Sequence, residues 1–168
     1  IAGYDVGKLI HQSALTSVYH AISQTDGSKV VIKTLRAEYP QSRDVNRIRR
    51  EFEITQKLSG INEIISLHGL EKHGNRNLAI VMEPFGISLA DFLVANDGKP
   101  IDMEWFIGTA IRLSRAIGAL HRGGIVHKDI NPRNILIENE TGKVKVIDFG
   151  ISSELSRERQ STSVSKLL

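Results

Sequence analysis

Two polar motifs bracket a short hairpin late in the chain, and this restricts the fold more than any other feature. His127-Lys128-Asp129 is followed by Asn134, five residues after the aspartate, and Asp148-Phe149-Gly150 comes after the hairpin. Between them, Ile135 to Glu138 and Lys143 to Ile147 read as strands joined by a turn at Thr141-Gly142. Phosphoryl transfer from a nucleotide needs such parts. One carboxylate accepts the proton of the attacking hydroxyl, and an oxygen-rich pair holds Mg²⁺ against the phosphates, because that ion prefers oxygen ligands. Asp129 fits the base, while Asn134 and Asp148 fit the metal pair.

The first third reads as strands. Tyr4 to Ile10 is one, and Val18 to Ser23 and Lys29 to Leu35 form a hairpin over Thr25-Asp26-Gly27-Ser28. A helix follows to about Leu58, capped by Ser42 or Asp44, with Val45, Ile48, Phe52, Thr55 and Leu58 as its buried stripe. Ile64 to Leu70 and Leu78 to Met82 are strands about a turn at His73-Gly74-Asn75. Leu89 to Ala95 is a short helix. Asp102 caps a longer one that buries Phe106, Ala110, Leu113, Ile117 and Leu120 and stops at Gly123-Gly124. A strand-rich part followed by a helical part with a small hairpin is an α+β arrangement, expected to form two lobes with a cleft between them.

Composition removes several classes. At 168 residues and 18.6 kDa the chain has the size of one domain or two small lobes. It has no cysteine, which excludes disulfides, thiolate nucleophiles and Cys-based zinc sites. The net charge of +3 is too small a surplus to indicate nucleic acid. The cluster Arg43, Arg47, Arg49 and Arg50 reads as a solvated helix face. The longest apolar run, Leu78 to Met82, is far too short to span a membrane, and the N-terminus has no secretory signal, so a cytoplasmic location is expected. The first residue is Ile1 rather than Met, which fits a piece of a longer chain.

The paired motifs resemble the catalytic loop and D-F-G triplet of the eukaryotic-type protein kinase family, with Lys128 where that family has Arg. The upstream half agrees. Val31-Ile32-Lys33 is similar to the family's V-A-I-K strand, and Glu51 lies on the next helix in the register of the lysine's partner. Glu53, the rival, lies about 200° round that helix. The resemblance covers Tyr4 to Ser153 and implies a bilobal kinase-like fold: an antiparallel-sheet N-lobe with one helix, and a partial helical C-lobe. It also implies ATP and Mg²⁺ as cofactors and a protein substrate with a Ser or Thr acceptor. Lys33 would reach the α and β phosphates. Met82-Glu83-Pro84-Phe85 resembles the hinge, with Met82 at the back of the adenine pocket and the backbone of Glu83 and Phe85 on the base. Ile10, Val18, Val31 and Leu136 match apolar positions around the ring. His121 and His127 read as structural, because no metal-ligand spacing accompanies them. The resemblance is nearest to the N-terminal kinase domain of bacterial hybrid proteins that also carry an ATPase region and a histidine kinase, which would place the chain in two-component signalling.

The expected organisation is 1–85 as N-lobe with the hinge at its end, 86–150 as partial C-lobe, and 151–168 as the start of an activation segment or a disordered tail. Further domains of a longer parent chain are expected as partners, and the truncated lower lobe should expose apolar surface. Two departures from the family bear on function. Counted back from Val18, the positions of the family's three loop glycines hold His11, Ser13 and Thr16, and the hydroxyls of Ser13 and Thr16 would have to serve the phosphates instead. Asn131 stands where Ser/Thr kinases carry a lysine, and Arg133 either supplies the missing charge or pairs with a neighbouring acid. A nucleotide-binding pseudokinase is therefore the alternative reading, and a small-molecule phosphotransferase is a third.

Overall fold

The structure, a computed structural model, describes residues 1–154. The Ser/Thr-rich stretch with Ser156, Ser161, Thr162, Ser163 and Ser165 lies outside the described residues. The chain divides into two compact units, Ile1–Ser59 with Ile65–Pro84, and Gly60–Ile64 with the chain from Phe85 onward.

In the first unit, alternating and β-branched runs form strands β1 (Tyr4–Gln12), β2 (Thr16–Ser23), β3 (Lys29–Leu35), β4 (Leu67–His73) and β5 (Asn77–Met82), with helix α1 (Ser42–Lys57) between β3 and β4. They make one antiparallel sheet in the order β1-β2-β3-β5-β4. Ala21, Val30, Ile32, Ala79 and Val81 form a core on one face, covered in part by Ile1 and Tyr4. Lys33 pairs with Val18 on one side and Ile80 on the other, so these three share the opposite face. That face receives α1, and with the core on the other face every residue of β5 is buried.

The structure corrects three local expectations here. The α1 cap is Gln41, without a side-chain bond, rather than Ser42 or Asp44; Asp44 instead lies in the first turn, where a carboxylate favours the helix dipole. Ile48, Thr55 and Leu58 are buried as expected, but Glu51 and Ile54 are buried with them, while Val45 and Phe52 are only half-buried. Strand β4 starts at Leu67 rather than at Ile64, because Ile64 bridges in parallel to Val146 of the second unit's own residues.

One polar cluster ties three strands of the sheet. The Thr34 hydroxyl donates to the Leu78 carbonyl at 3.1 Å and lies 2.6 Å from His73 Nε2. With the hydroxyl proton committed to Leu78, Nε2–H is the donor to Thr34. Burial lowers the His73 pKa from 6.5, so the unfolded chain takes up the proton first. The folded state is therefore expected to lose stability as the pH falls below 6.5. Urea unfolding at pH 5 and pH 8 measures this, and His73→Gln should flatten the difference.

The second unit holds β6 (Ile87–Ser88), α2 (Leu89–Ala95), α3 (Met103–Arg122), β7 (Ile125–Val126), a 3₁₀ turn at Pro132–Asn134, β8 (Ile135–Ile137), β9 (Val144–Val146) and β10 (Ser153–Glu154). Ser88 and Asp102 cap α2 and α3 through their side chains, and Gly123 ends α3. Ile135, Ile137 and Val144 are the core, with Leu89, Phe92, Trp105 and Leu113 against them. The rings of Phe92 and Trp105 stack at 4.9 Å. The outer turn of the β8–β9 hairpin is held to α3, where Trp105 Nε1 donates to Asn139 O and Arg112 to Gly142 O.

The buried face of α3 is rotated by about 60° from the expected one. Leu120 is buried as expected and Leu113 and Ile117 are half-buried, but Thr109 and Ala116 are buried while Phe106 and Ala110 are exposed. The helix is apolar on two sides, and only packing selects between them. The side left open carries Phe106, Ile107 and Ile111, which is the apolar exposure expected of this half.

Gly86 is a tight backbone position. Its φ is +37°, and a Cβ there would lie 2.1 Å from the carbonyl oxygen of Ile137. Gly86→Ala is expected to cost about 3 kcal/mol or more, read as a shift in the urea midpoint.

Candidate active site

The first unit carries an ion pair. Lys33 sits mid-strand in β3, and its Nζ lies 2.7 and 2.9 Å from the two carboxylate oxygens of Glu51 on α1. Lys33 is 8% exposed and Glu51 5%, so the pair is desolvated and its geometry is tightly held. Glu53, the rival acid, is exposed. Val31 pairs with Met82 across the β3–β5 ladder, and Val18 pairs with Lys33. Ile10 lies in an irregular part of the β1–β2 pairing and is exposed. The Glu83 N–H is committed to Ser66 O at 3.0 Å, and the Glu83 carboxylate accepts from Ser66 N at 2.7 Å.

The loop that lacks glycines closes on itself. Ser13 Oγ accepts from the N–H groups of Leu15 and Thr16 and lies 3.0 Å from Thr16 Oγ1. Arg36 adds a bond to Ser13 O at 2.9 Å. Of the two hydroxyls expected to face phosphates, that of Ser13 is thus turned onto the loop's own backbone, and that of Thr16 meets Ser13 Oγ.

In the second unit five hydrogen bonds link four residues into a circuit that joins the two bracketing motifs. Asn134 Nδ2 donates to Asp129 Oδ2 and Asp129 O, each at 2.9 Å. Ile147 N–H donates to Asn134 O at 3.0 Å, closing the β8–β9 hairpin at its open end. His127 Nε2 lies 2.9 Å from Ile147 O, and Asp129 N–H donates to His127 Nδ1 at 3.2 Å. Because Nδ1 accepts, the ring proton is on Nε2, directed at Ile147 O. The circuit puts Asp129 and Asn134 in direct contact and Asp148 one residue beyond the closure. Asp148 has a φ of +64° and Lys128 one of +69°, so both ends of the circuit hold non-glycine residues in the left-handed region. Asp148 Oδ1 accepts from Gly150 N. Fully buried Phe149 meets the His127 ring edge-on at 4.8 Å, and Ser152 Oγ donates to His127 O. His127 is therefore structural, as expected, yet it links both motifs.

The other predicted residues of this unit lie nearby in sequence but differ in setting. Leu136 is half-buried in β8, paired with Ser88 and Lys145. Phe85 lies under Lys145, whose Nζ is 5.4 Å from the ring centroid. Arg133 is exposed, with its backbone N–H on Asn131 Oδ1. Sequence reading missed the bond from Asn131 Nδ2 to Asp129 Oδ1, at 3.0 Å. An Asn two residues after an acid carries no signal of its own.

The donor set fits Mg²⁺. Asn134 uses its amide nitrogen on Asp129, which leaves the amide oxygen as its ligand atom, and Asp148 adds a carboxylate. Among the described residues no group of three or more His, Cys, Asp or Glu side chains could hold a metal alone. Such a pair suits an ion that keeps water and phosphate oxygens as its remaining ligands.

The protein kinase domain family matches residues 4–166 of this sequence. The chain belongs to the protein kinase domain family. This kinase chain is 30% identical over 154 residues to the serine/threonine-protein kinase PrkC of Bacillus subtilis, covering 91% of the chain and 23% of that protein. It is 32% identical over 156 residues to a probable serine/threonine-protein kinase of Streptomyces coelicolor, covering 89% and 22%. A probable serine/threonine-protein kinase of Corynebacterium efficiens is 35% identical over 158 residues, covering 90% and 23%. The kinase chain thus spans less than a quarter of the length of these relatives. Among the described residues no helix is long and apolar enough to cross a membrane.

Proposed function

We propose that this chain is the ATP-binding and catalytic portion of a Ser/Thr protein kinase. The observation that supports the reading is the circuit joining Asp129, Asn134, Ile147 and His127, which brings Asp129 and Asn134, with Asp148 one residue on, to one end of the β8–β9 hairpin. Ile10, Val18, Val31, Met82, Glu83, Phe85 and Leu136 would contact the adenine. Lys33, oriented by Glu51, would hold the α and β phosphates, and Asn134 and Asp148 would hold Mg²⁺. The bound ion would offset phosphate charge. Asp129 would accept the proton of a Ser or Thr hydroxyl as its oxygen bonds to the γ-phosphorus and the bond from that phosphorus to the bridging oxygen breaks. Arg133 would add positive charge near the transferred group.

The inward-turned Ser13 loop favours a second reading, a pseudokinase that binds nucleotide without transferring phosphate. A calorimetric titration with Mg-ATP, followed by transfer of labelled γ-phosphate to a generic Ser/Thr substrate, separates the two. Binding with transfer supports the kinase, and binding without transfer supports the pseudokinase. We propose a domain boundary at residue 85, with residues 151–168 as either the start of an activation segment or a tail. The run His127-Lys128-Asp129-Ile130-Asn131-Pro132 favours a cytoplasmic bacterial hybrid protein with a histidine kinase as the parent.

A further inference from the structure

We infer that Asn131 is a positioning residue that holds the Asp129 carboxylate by a neutral amide bond, in place of the charged group expected at that position. The inference rests on the reading of Asp129 as the base. The Asn131 side chain is fixed at both ends. Its Oδ1 accepts the Arg133 N–H at 2.9 Å and so caps the Pro132–Asn134 turn. A backbone N–H can only donate, so the amide oxygen must face Arg133 and the NH₂ must face Asp129. There Nδ2 donates to Asp129 Oδ1 at 3.0 Å and to Asp129 O at 3.2 Å.

From the other side, Asn134 Nδ2 holds Asp129 Oδ2 and the same carbonyl. Each carboxylate oxygen therefore accepts from a different amide. Rotation of the carboxylate about its last torsion would break both bonds. Asp129 is exposed, so packing alone does not restrain this torsion. Each carboxylate oxygen keeps a second lone pair, which leaves acceptor capacity for an incoming hydroxyl. Pro132, between the two asparagines, fixes its own φ and stiffens the link. The position thus trades a cation aimed at the phosphate for fixed geometry at the base.

Two substitutions in the full-length protein separate this role from simple capping. Asn131→Ser keeps a neutral acceptor that caps Arg133 N–H but is too short to hold the Asp129 carboxylate. Asn131→Lys supplies a donor to Asp129 but cannot cap. Positioning predicts that Asn131→Ser lowers kcat by about 10- to 100-fold with the KM for ATP and the melting temperature nearly unchanged. It also predicts that Asn131→Lys is less impaired in kcat than Asn131→Ser, even with a lower melting temperature. Capping alone predicts the reverse order. An Asn131→Ser enzyme with wild-type kcat, or an Asn131→Lys enzyme as impaired as Asn131→Ser, overturns the inference. A full-length wild type without Asp129-dependent transfer overturns the kinase reading itself, and the inference with it.

Discussion

Asp129→Asn is expected to lower phosphotransfer by about 10²- to 10⁴-fold and to leave Mg-ATP binding nearly intact. The substitution keeps the shape of the side chain and removes its ability to take a proton. The groups assigned to the nucleotide are other residues: Lys33 with Glu51 in one unit, and Asn134 and Asp148 at the hairpin end in the other. The Asp129 backbone N–H and carbonyl, which hold His127 and Asn134, are unchanged by the substitution. The circuit should therefore persist. Steady-state kinetics and calorimetry on the full-length protein check both halves. An unchanged turnover rate would remove Asp129 from the role of base.

Lys33→Met is expected to damage stability and nucleotide binding together. The ammonium it removes lies 2.7 Å from a Glu51 oxygen in a desolvated setting. Deleting one partner of such a pair leaves a buried charge without its counter-ion, at a cost of about 3–5 kcal/mol. The double variant Lys33→Met/Glu51→Leu removes both charges and should recover most of the melting temperature. It should not recover nucleotide binding, since the phosphate contact assigned to Lys33 is still absent. If the double variant melts no higher than the single one, the pair does not carry the stability assigned to it. If Lys33→Met binds Mg-ATP as tightly as the wild type, Lys33 does not hold the phosphates.

Much of the fold could be read locally. Strand β3 and helix α2 have the predicted bounds, and α1 ends within a residue of expectation. Their signals lie within a few residues: β-branched runs, turn glycines, and Ser88 or Asp102 ahead of a helix. The failures share a cause. Helix α3 has two apolar sides, and the choice of Thr109, Ala116 and Leu120 over Phe106 depends on what the rest of the unit brings to it. Ile64 is β-branched and strand-like, but its bridge is to Val146, far away in sequence. The Ser13 loop was expected to offer hydroxyls to phosphates, yet Ser13 Oγ accepts from the nearby backbone N–H groups of Leu15 and Thr16.

The amino-acid sequence by itself determined which chemical groups are present and how they are spaced: Lys33 and Glu51 upstream, then Asp129, Asn134 and Asp148 about a hairpin. It also determined the order of strands and helices, because periodicity and turn residues act over short range. The tertiary structure alone decided which of these groups meet. Lys33 reaches Glu51 across 18 residues, and His127 reaches Ile147 across 20. Contacts at that separation follow from sheet register and helix packing. The clamp on Asp129 spans only two and five residues, yet it too depends on folding. Asn131 and Asn134 can aim their amides at one carboxylate only because the turn between them and the closed end of the hairpin hold the backbone in place.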